Sequence, residues 1–316
     1  MSNSRTIRIA GAAMLAGLSL TSATHAATSG NADFAALADQ YFDQVFFPYQ
    51  PTTGTLAGFH QYDAQLEPYD RASIAKQTAE LHAFERRVAA FPKDGLDEWT
   101  SADLQLVLNN IHSTLLTLEI IKPWEKNPDF YSTGITNSAF TLIERKFAPP
   151  EDRLRSLTAR ERQMPGALSA ARQNLRDCPK IYTEIALEQL PGDIDFFRSD
   201  VPAAFSEVKD QKLLAEFKGS NAAVIDALSS YETWMKSDLL PRSNGDFRIG
   251  RDTFALKLLY DDMVTTPLDQ LLQIGYADLH KNRAAFDALA REVDPGKTPQ
   301  QVLLCSAKIT RRPASC

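Results

Sequence analysis

The stretch TSADLQLVLNNIHSTLLTLEII, residues 100–121, decides the fold class. Its apolar residues Leu104, Val107, Leu108, Ile111, Leu115 and Leu118 recur three and four positions apart, the spacing that gathers side chains on one face of an α-helix. No alternation of apolar and polar residues, as a half-buried strand requires, competes with that reading. At its start Thr100 and Asp103 have the spacing of a capping box, in which each side chain serves the other's backbone amide. Pro123 is expected to end the helix, because proline brings no N–H and crowds the preceding turn.

The same period extends in both directions. Upstream, Asn31 is placed to cap a helix whose buried face is Phe34, Leu37, Ala38, Tyr41, Phe42 and Val45. Asp70 opens another, with Ile74, Leu81, Phe84, Val88 and Phe91 on one stripe. Downstream, Glu151 and Asp152 follow Pro149 and Pro150, acidic residues in the first turn where the helix dipole favours them. Further helices are predicted near 166–176, 180–190, 193–217, 220–239 and 251–262. Thr266, Pro267 and Asp269 launch a long one with Leu271, Leu272, Gly275, Leu279, Asn282, Phe286, Leu289 and Val293 on its face. Residues 50–70 (QPTTGTLAGFHQYDAQLEPYD) and 122–135 (KPWEKNPDFYSTGI) read as loops from their Pro, Gly and Asn content. Gly245 and Gly250 flank a short extended piece, which points to a hairpin or to a close approach of backbones. The expected fold is therefore all-α, one domain of long amphipathic helices with at most a short hairpin.

Composition bounds the function. Glycine is scarce, 14 of 316 residues, while 44% of residues are hydrophobic and 23% charged, ordinary for a globular chain that favours helix. The net charge is −6, and the basic residues Arg5, Arg8, Lys308, Arg311 and Arg312 sit at the two ends, so the body between them is more acidic still. That surface excludes nucleic acid as a partner, whose phosphates need clustered Lys and Arg. Residues 1–26 have the order of a cleavable signal peptide: Arg5 and Arg8, an apolar run from Ile9 to Leu20, then small residues to Ala26. The run is too short for the roughly 20 residues of a spanning helix, so the mature chain is expected in the periplasm or outside the cell, with no membrane segment. Three cysteines, two of them in the last dozen residues, make no disulfide framework, and Cys178 reads as a lone thiol.

The chemical motifs are mostly missing. None of the five histidines begins H-E-x-x-H, the helical spacing that presents two imidazoles to one zinc ion. There is no G-x-S-x-G elbow, no phosphate-binding lysine loop and no dinucleotide glycine fingerprint. Two polar clusters remain. His60, Tyr62 and Asp63 in GFHQYD set an imidazole, a phenol and a carboxylate on one loop, where they either line a cleft or brace the loop. Tyr182, Glu184 and Glu188 in KIYTEIALEQ place two carboxylates four apart on one helix face, as paired ligands, an acid and its partner, or a solvated acidic face. His112 and His280 lie within amphipathic helices as ordinary partly buried histidines.

Three long irregular stretches occur in order: residues 106–168 (LVLNNIHSTLLTLEIIKPWEKNPDFYSTGITNSAFTLIERKFAPPEDRLRSLTARERQMPGAL), 171–197 (ARQNLRDCPKIYTEIALEQLPGDIDFF) and 247–275 (FRIGRDTFALKLLYDDMVTTPLDQLLQIG). Together they resemble the bacterial exported proteins grouped as domain of unknown function 885, over Asp33 to about Val302. The resemblance implies a largely helical, zinc-dependent peptidase fold nearly twice this length, with a zinc motif of the type H-E-x-x-P-G-H in its second half. This chain corresponds to the first half, residues 27–302. The family's zinc-binding and catalytic residues have no counterpart in it, so no catalytic residue and no zinc ligand carries over. In such a fold the first half forms one wall of a substrate channel, which would place His60, Tyr62, Asp63, Tyr182, Glu184 and Glu188 along peptide substrate.

The resemblance also bears on the ending. Residues 303–316 (LLCSAKITRRPASC) lose the period and the acidity of the body, which is read as a frameshifted tail on a truncated chain. Such a chain would be inactive as a peptidase and would expect the missing second half as its packing partner, zinc being needed only by a full-length relative. The alternative is a stand-alone periplasmic helical module that binds peptides. A third reading, an enzyme built on Glu184, Glu188 and His60, uses the same residues.

Overall fold

The computed structural model describes residues 29–310, and among them every regular element is a helix. In chain order the principal helices are α1 (Ser29–Tyr41), α2 (Pro51–Leu56), α3 (Arg71–Ala89), α4 (Glu98–Leu115), α5 (Pro123–Lys126), α6 (Asp129–Glu144) and α7 (Pro150–Glu161). They are followed by α8 (Met164–Asn174), α9 (Lys180–Asp195), α10 (Gln211–Trp234), α11 (Arg251–Asp262), α12 (Leu268–Val293) and α13 (Pro299–Thr310). The fold is all-α. The expected signal peptide and the last six residues of the basic tail lie outside the described residues. Residues 303–310, where the sequence pattern changes, continue α13 as helix.

A first core is a three-helix bundle. Phe34, Leu37, Tyr41 and Val45 meet Leu81, Phe84 and Val88 of α3 and Leu104, Val107, Ile111 and Leu115 of α4, so these three stripes are buried as their spacing predicts. Full burial of each large side chain contributes about 1.5–3 kcal/mol. The caps differ from the prediction by one turn. Asp97, not Thr100, caps α4 by accepting from the Thr100 amide at 2.7 Å, because the helix starts before Trp99 rather than after it. Asn31 does not cap α1. Its side-chain amide instead donates to the Asp97 carboxylate at 2.6 Å and ties the starts of α1 and α4 together.

A second, larger core is built from α6 to α10, around Tyr131, Ile135, Leu142, Leu154, Leu157 and Leu168, with Phe197, Leu228 and Tyr231 closing it. Four helix ends that lead into it or out of it widen into π-turns: Phe42–Phe46, Leu116–Ile121, Phe196–Asp200 and Met235–Leu239. In each, the residue just before a proline donates its amide five residues back: Phe47 to Phe42, Lys122 to Thr117, Val201 to Phe196 and Leu240 to Met235. The proline ring needs the space that the carbonyl four residues earlier would fill, and the wider turn moves that carbonyl aside.

Prolines elsewhere are read differently by sequence and structure. Pro191, expected to divide two helices, sits inside α9, where Leu190 and Ile194 are buried on either side of it and packing holds the helix together. The predicted helix 193–217 breaks instead at 205–210, where Asp210 caps α10 by accepting from the Lys212 and Leu213 amides. No hairpin forms among the described residues. The extended piece after Ser243 is a close approach: the Gly245 amide donates to the Cys178 carbonyl at 3.0 Å, and a Cβ on Gly245 would collide with the Asp177 carbonyl oxygen.

Of the last three helices only α11 packs closely on the body. Helix α11 lies on α4, held by Ser113 and Asp261 and by a ring contact of 4.9 Å between His112 and Tyr260. Helix α12 packs chiefly on α13, and its expected buried face is exposed: Leu272, Leu279, Phe286, Leu289 and Val293 all face solvent, with Ala290 alone buried among the described residues of the helix. The amphipathic pattern is real, but nothing in this structure covers it. Those five side chains hold on the order of 10 kcal/mol of burial not taken up. No helix of the described residues is long and apolar enough to cross a membrane.

Candidate functional site

Between the two cores lies a cleft of about 480 Å³. One side is formed by Tyr49, Ile74, Thr114 and Leu118 of the first bundle, the other by Asp129, Phe130, Thr133 and Asn137 at the start of α6. The floor comes from the chain between α2 and α3, with Glu67 and Tyr69. Two close approaches shape it. A Cβ on Gly54 would come within 2.8 Å of the Tyr62 ring, and one on Gly134 would collide with the Tyr69 hydroxyl. The glycines let α2 and α6 come that near the aromatic side chains.

The electrostatics of the cleft are one-sided. Glu67 and Asp129 are its charged side chains, and no Lys, Arg or His of the described residues lines it. Asp129 Oδ1 accepts from Thr133 at 2.8 Å and from Ser132 at 3.2 Å, and the Gln189 side chain of α9, with its amide turned nitrogen-inward as the surrounding groups require, donates to the same carboxylate at 3.0 Å. Glu67 is only half satisfied. Its Oε1 accepts from the Thr52 amide at 3.1 Å, while Oε2 is buried without a hydrogen bond, as is the Thr52 hydroxyl.

Beside the cleft the two cores are pinned together by charge. Glu125 of α5 takes Arg71 of α3 at 3.2 Å and Arg176 Nε at 2.9 Å. Burial pushes this carboxyl up, but Arg176 and Arg71 outweigh burial and hold it below the usual carboxylate range. Arg71 also covers one face of Trp124, 5.1 Å from the ring centroid. Behind Glu67 lies Arg160, fully buried, which donates to the Ser138 carbonyl at 2.6 Å, to the Thr55 hydroxyl at 2.9 Å and to the Tyr62 carbonyl at 3.2 Å.

None of the residues singled out by sequence lines this cleft, and they fall in two separate groups. His60 and Tyr62 form a short 3₁₀ turn after α2, Tyr62 is buried against Phe47, and the exposed His60 ring stacks on Phe147 at 4.1 Å. Asp63 is buried, accepts from Thr55 at 2.8 Å and faces His60 Nδ1 at 3.1 Å, so this trio braces the turn from behind while Thr52 and Thr53 of the same helix face the cleft. On α9, Glu184 and Glu188 are exposed, Tyr182 is half-buried and Glu184 pairs with Lys180 at 3.5 Å. The neighbouring Gln189, with its amide turned nitrogen-inward, donates to Asp129, a link from this stretch of α9 to a cleft residue. No hydrogen bond, ion pair or ring contact among the described residues joins the His60 group to the α9 group.

Histidines gather elsewhere, in a line. On the outer faces of α3 and α4, His82 sits between Glu119 at 3.1 Å and Glu85 at 3.0 Å, and Glu85 turns its other oxygen to His112 at 3.1 Å. Glu119 and Glu85 hold the His82 imidazolium above its ordinary range. Among the described residues no three His, Cys, Asp or Glu side chains converge as zinc ligands, and this row is extended rather than clustered.

Residues 51–312 match the family model described as "Bacterial protein of unknown function (DUF885)". The chain belongs to the DUF885 family. The match begins at the first residue of α2, leaving α1 outside it, and runs past Val302 into the basic tail. A solved structure of "a putative lipoprotein of unknown function" from Shewanella oneidensis has the same fold, with a TM-score of 0.70 and 26% sequence identity. The superposition covers 83% of this DUF885 chain and 48% of the other, so the chain spans about half the length of that relative. No curated protein matches the sequence.

Sequence reading missed the residues that shape the cleft of this DUF885 chain: Glu67 and Tyr69, and Asp129, Phe130 and Thr133. Both groups lie in the stretches 50–70 and 122–135 read as loops, which in fact carry α2, α5 and the start of α6. The signal that could have found them is position. Pro51 and Pro123 stand at first helical positions, where a missing N–H costs nothing.

Proposed function

We propose that this chain is the substrate-contacting first half of an exported, peptidase-like helical fold, and that by itself it binds peptide without cleaving it. The observation that carries this reading is the uncovered apolar face of α12. A face of that size on a helix leaving the body marks an interaction surface. The solved relative, of which this chain spans about half, supports a second half of the same fold as the occupant. Its description as a lipoprotein supports export, and with it the periplasmic or secreted location expected from residues 1–26.

In this reading the cleft is part of the channel wall, with His60, Tyr62 and Asp63 supporting it behind α2 and Tyr182, Glu184 and Glu188 extending it along α9. Zinc, when present in a longer relative, would polarise the peptide carbonyl and lower the pKa of bound water. The ligands for it would come from the second half. The same cleft would serve a stand-alone periplasmic peptide-binding module, and the two readings part on α12.

The test is reconstitution. The full chain alone, with added zinc, is expected to associate with itself as its concentration rises and to hydrolyse no peptide. Co-expressed with the second half of a longer family member, it is expected to form an equimolar complex that cleaves peptide and loses activity to a chelator. Replacing Leu272, Leu279 and Phe286 of α12 by serine should abolish both the self-association and the complex. A monodisperse chain that forms no complex, or chelator-sensitive hydrolysis by the chain alone, would overturn the reading.

A further inference from the structure

The cleft has a chemistry more specific than peptide contact in general, and three of its features point the same way. The first is charge: carboxylates line it with no basic side chain among the described lining residues. The second is the state of Glu67. One carboxylate oxygen is held by the Thr52 amide, and the other is buried without a partner, a costly arrangement for an ionised group. Arg160 exerts its field on Glu67, but its hydrogen bonds go to Ser138, Thr141, Thr55 and Tyr62, none to this carboxylate. The third is an aromatic corner beside Glu67, where the rings of Tyr69 and Phe130 meet edge to face at 5.7 Å and Phe130 remains partly exposed.

We propose that this cleft takes the free amino terminus of a peptide, its ammonium against Glu67 and its first side chain against Tyr69 and Phe130. An ammonium supplies the donor that Glu67 Oε2 lacks, and aromatic faces attract both a cation and an apolar side chain. Asp129 adds negative potential while its Oδ1 stays committed to Ser132 and Thr133. The surrounding hydroxyls and amides, such as Thr114 and Asn137, can serve the peptide groups that follow. This inference rests on the peptide-binding reading above and goes beyond it in naming which end of the peptide is held.

The experiment is calorimetric titration of the full chain with three small probes: phenylalaninamide, N-acetylphenylalaninamide and N-acetyllysinamide. Phenylalaninamide should bind, and capping its amine should remove the signal. Glu67→Gln keeps the acceptor that the Thr52 amide uses but loses the charge, and should weaken phenylalaninamide about tenfold, the equivalent of one charge-assisted hydrogen bond. The comparison of capped and uncapped probes on the unaltered chain does not depend on the variant folding. Equal binding of the capped probe, an unaffected Glu67→Gln variant, or N-acetyllysinamide binding as well as phenylalaninamide would overturn the amino-terminal assignment while leaving peptide binding standing. If neither these probes nor longer peptides bind, both readings fall.

Discussion

Glu161, the last residue of α7, is fully buried, and its surroundings favour a neutral acid. Burial pushes its carboxyl up to about 7, against the smaller downward pull of Ser220 and Asn221. The hydrogen bonds agree with a protonated form. The Ser220 hydroxyl has one proton, yet it contacts both Glu161 Oε2 and, at 3.0 Å, the Phe217 carbonyl. If Glu161 carries the proton it donates to Ser220, Ser220 donates to Phe217, and Glu161 Oε1 accepts from Asn221 at 3.1 Å, so every group is served. Below the unfolded pKa of 4.5 both states hold the proton, and the stabilisation is complete. Between 4.5 and about 7 only the folded chain holds it, so stability falls as pH rises and the contribution is lost once pH passes the folded value. At 1.36 kcal/mol per unit the loss is about 3 kcal/mol. Glu161→Gln fixes the neutral form, with its amide donating to Ser220 and its carbonyl accepting from Asn221. Urea unfolding followed by far-UV circular dichroism should show the variant close to the parent near pH 5 and more stable by about 3 kcal/mol near pH 8. Parallel stability profiles for the two proteins across that interval would refute the assignment of a buried neutral acid.

Two further outcomes follow from the packing. Gly245→Ala should cost about 1–3 kcal/mol by driving a methyl group into the Asp177 carbonyl, and should lower the melting temperature in a thermal scan. An unchanged melting temperature would show that the segment yields freely. Iodoacetamide should alkylate the exposed Cys305 in the native protein but reach Cys178 only after denaturation, because Cys178 is buried and burial pushes its thiol up to about 12. Equal native labelling by mass spectrometry would contradict this.

How much of the fold could be read depended on whether the local pattern and its tertiary partner agreed. The stripes of Phe34 to Val45, Ile74 to Phe91 and Leu104 to Leu118 were legible because each faces another stripe of the same bundle. The face of α12 was legible as amphipathic, but a period says which side is apolar and not what will cover it. The cleft was hidden for another reason. Gly54 and Gly134 read as loop punctuation, whereas both lie within helices and are glycine because Tyr62 and Tyr69 press against their Cα atoms. That is a contact between distant residues, which no local window contains. The six residues chosen by sequence were picked for their chemistry, and none of them lines the cleft. The Glu67 carboxylate looked like any loop acid until its neighbours were known.

The four π-turns carry a consequence for how this chain tolerates change in length. A π-turn holds one residue more than the α-turn it replaces, and one residue is about 100° of rotation around a helix. The side chains beyond Phe42–Phe46, Leu116–Ile121, Phe196–Asp200 and Met235–Leu239 are therefore re-aimed relative to the stripe before them. These turns behave as phase shifters, each locked by the proline after it. Single-residue deletions within them should be absorbed by reversion to an α-turn if the proline is replaced at the same time, and should misalign the following segment if it is kept. Insertions and deletions in this architecture thus have natural addresses, and each is written in the sequence as a proline just beyond an apolar helix end.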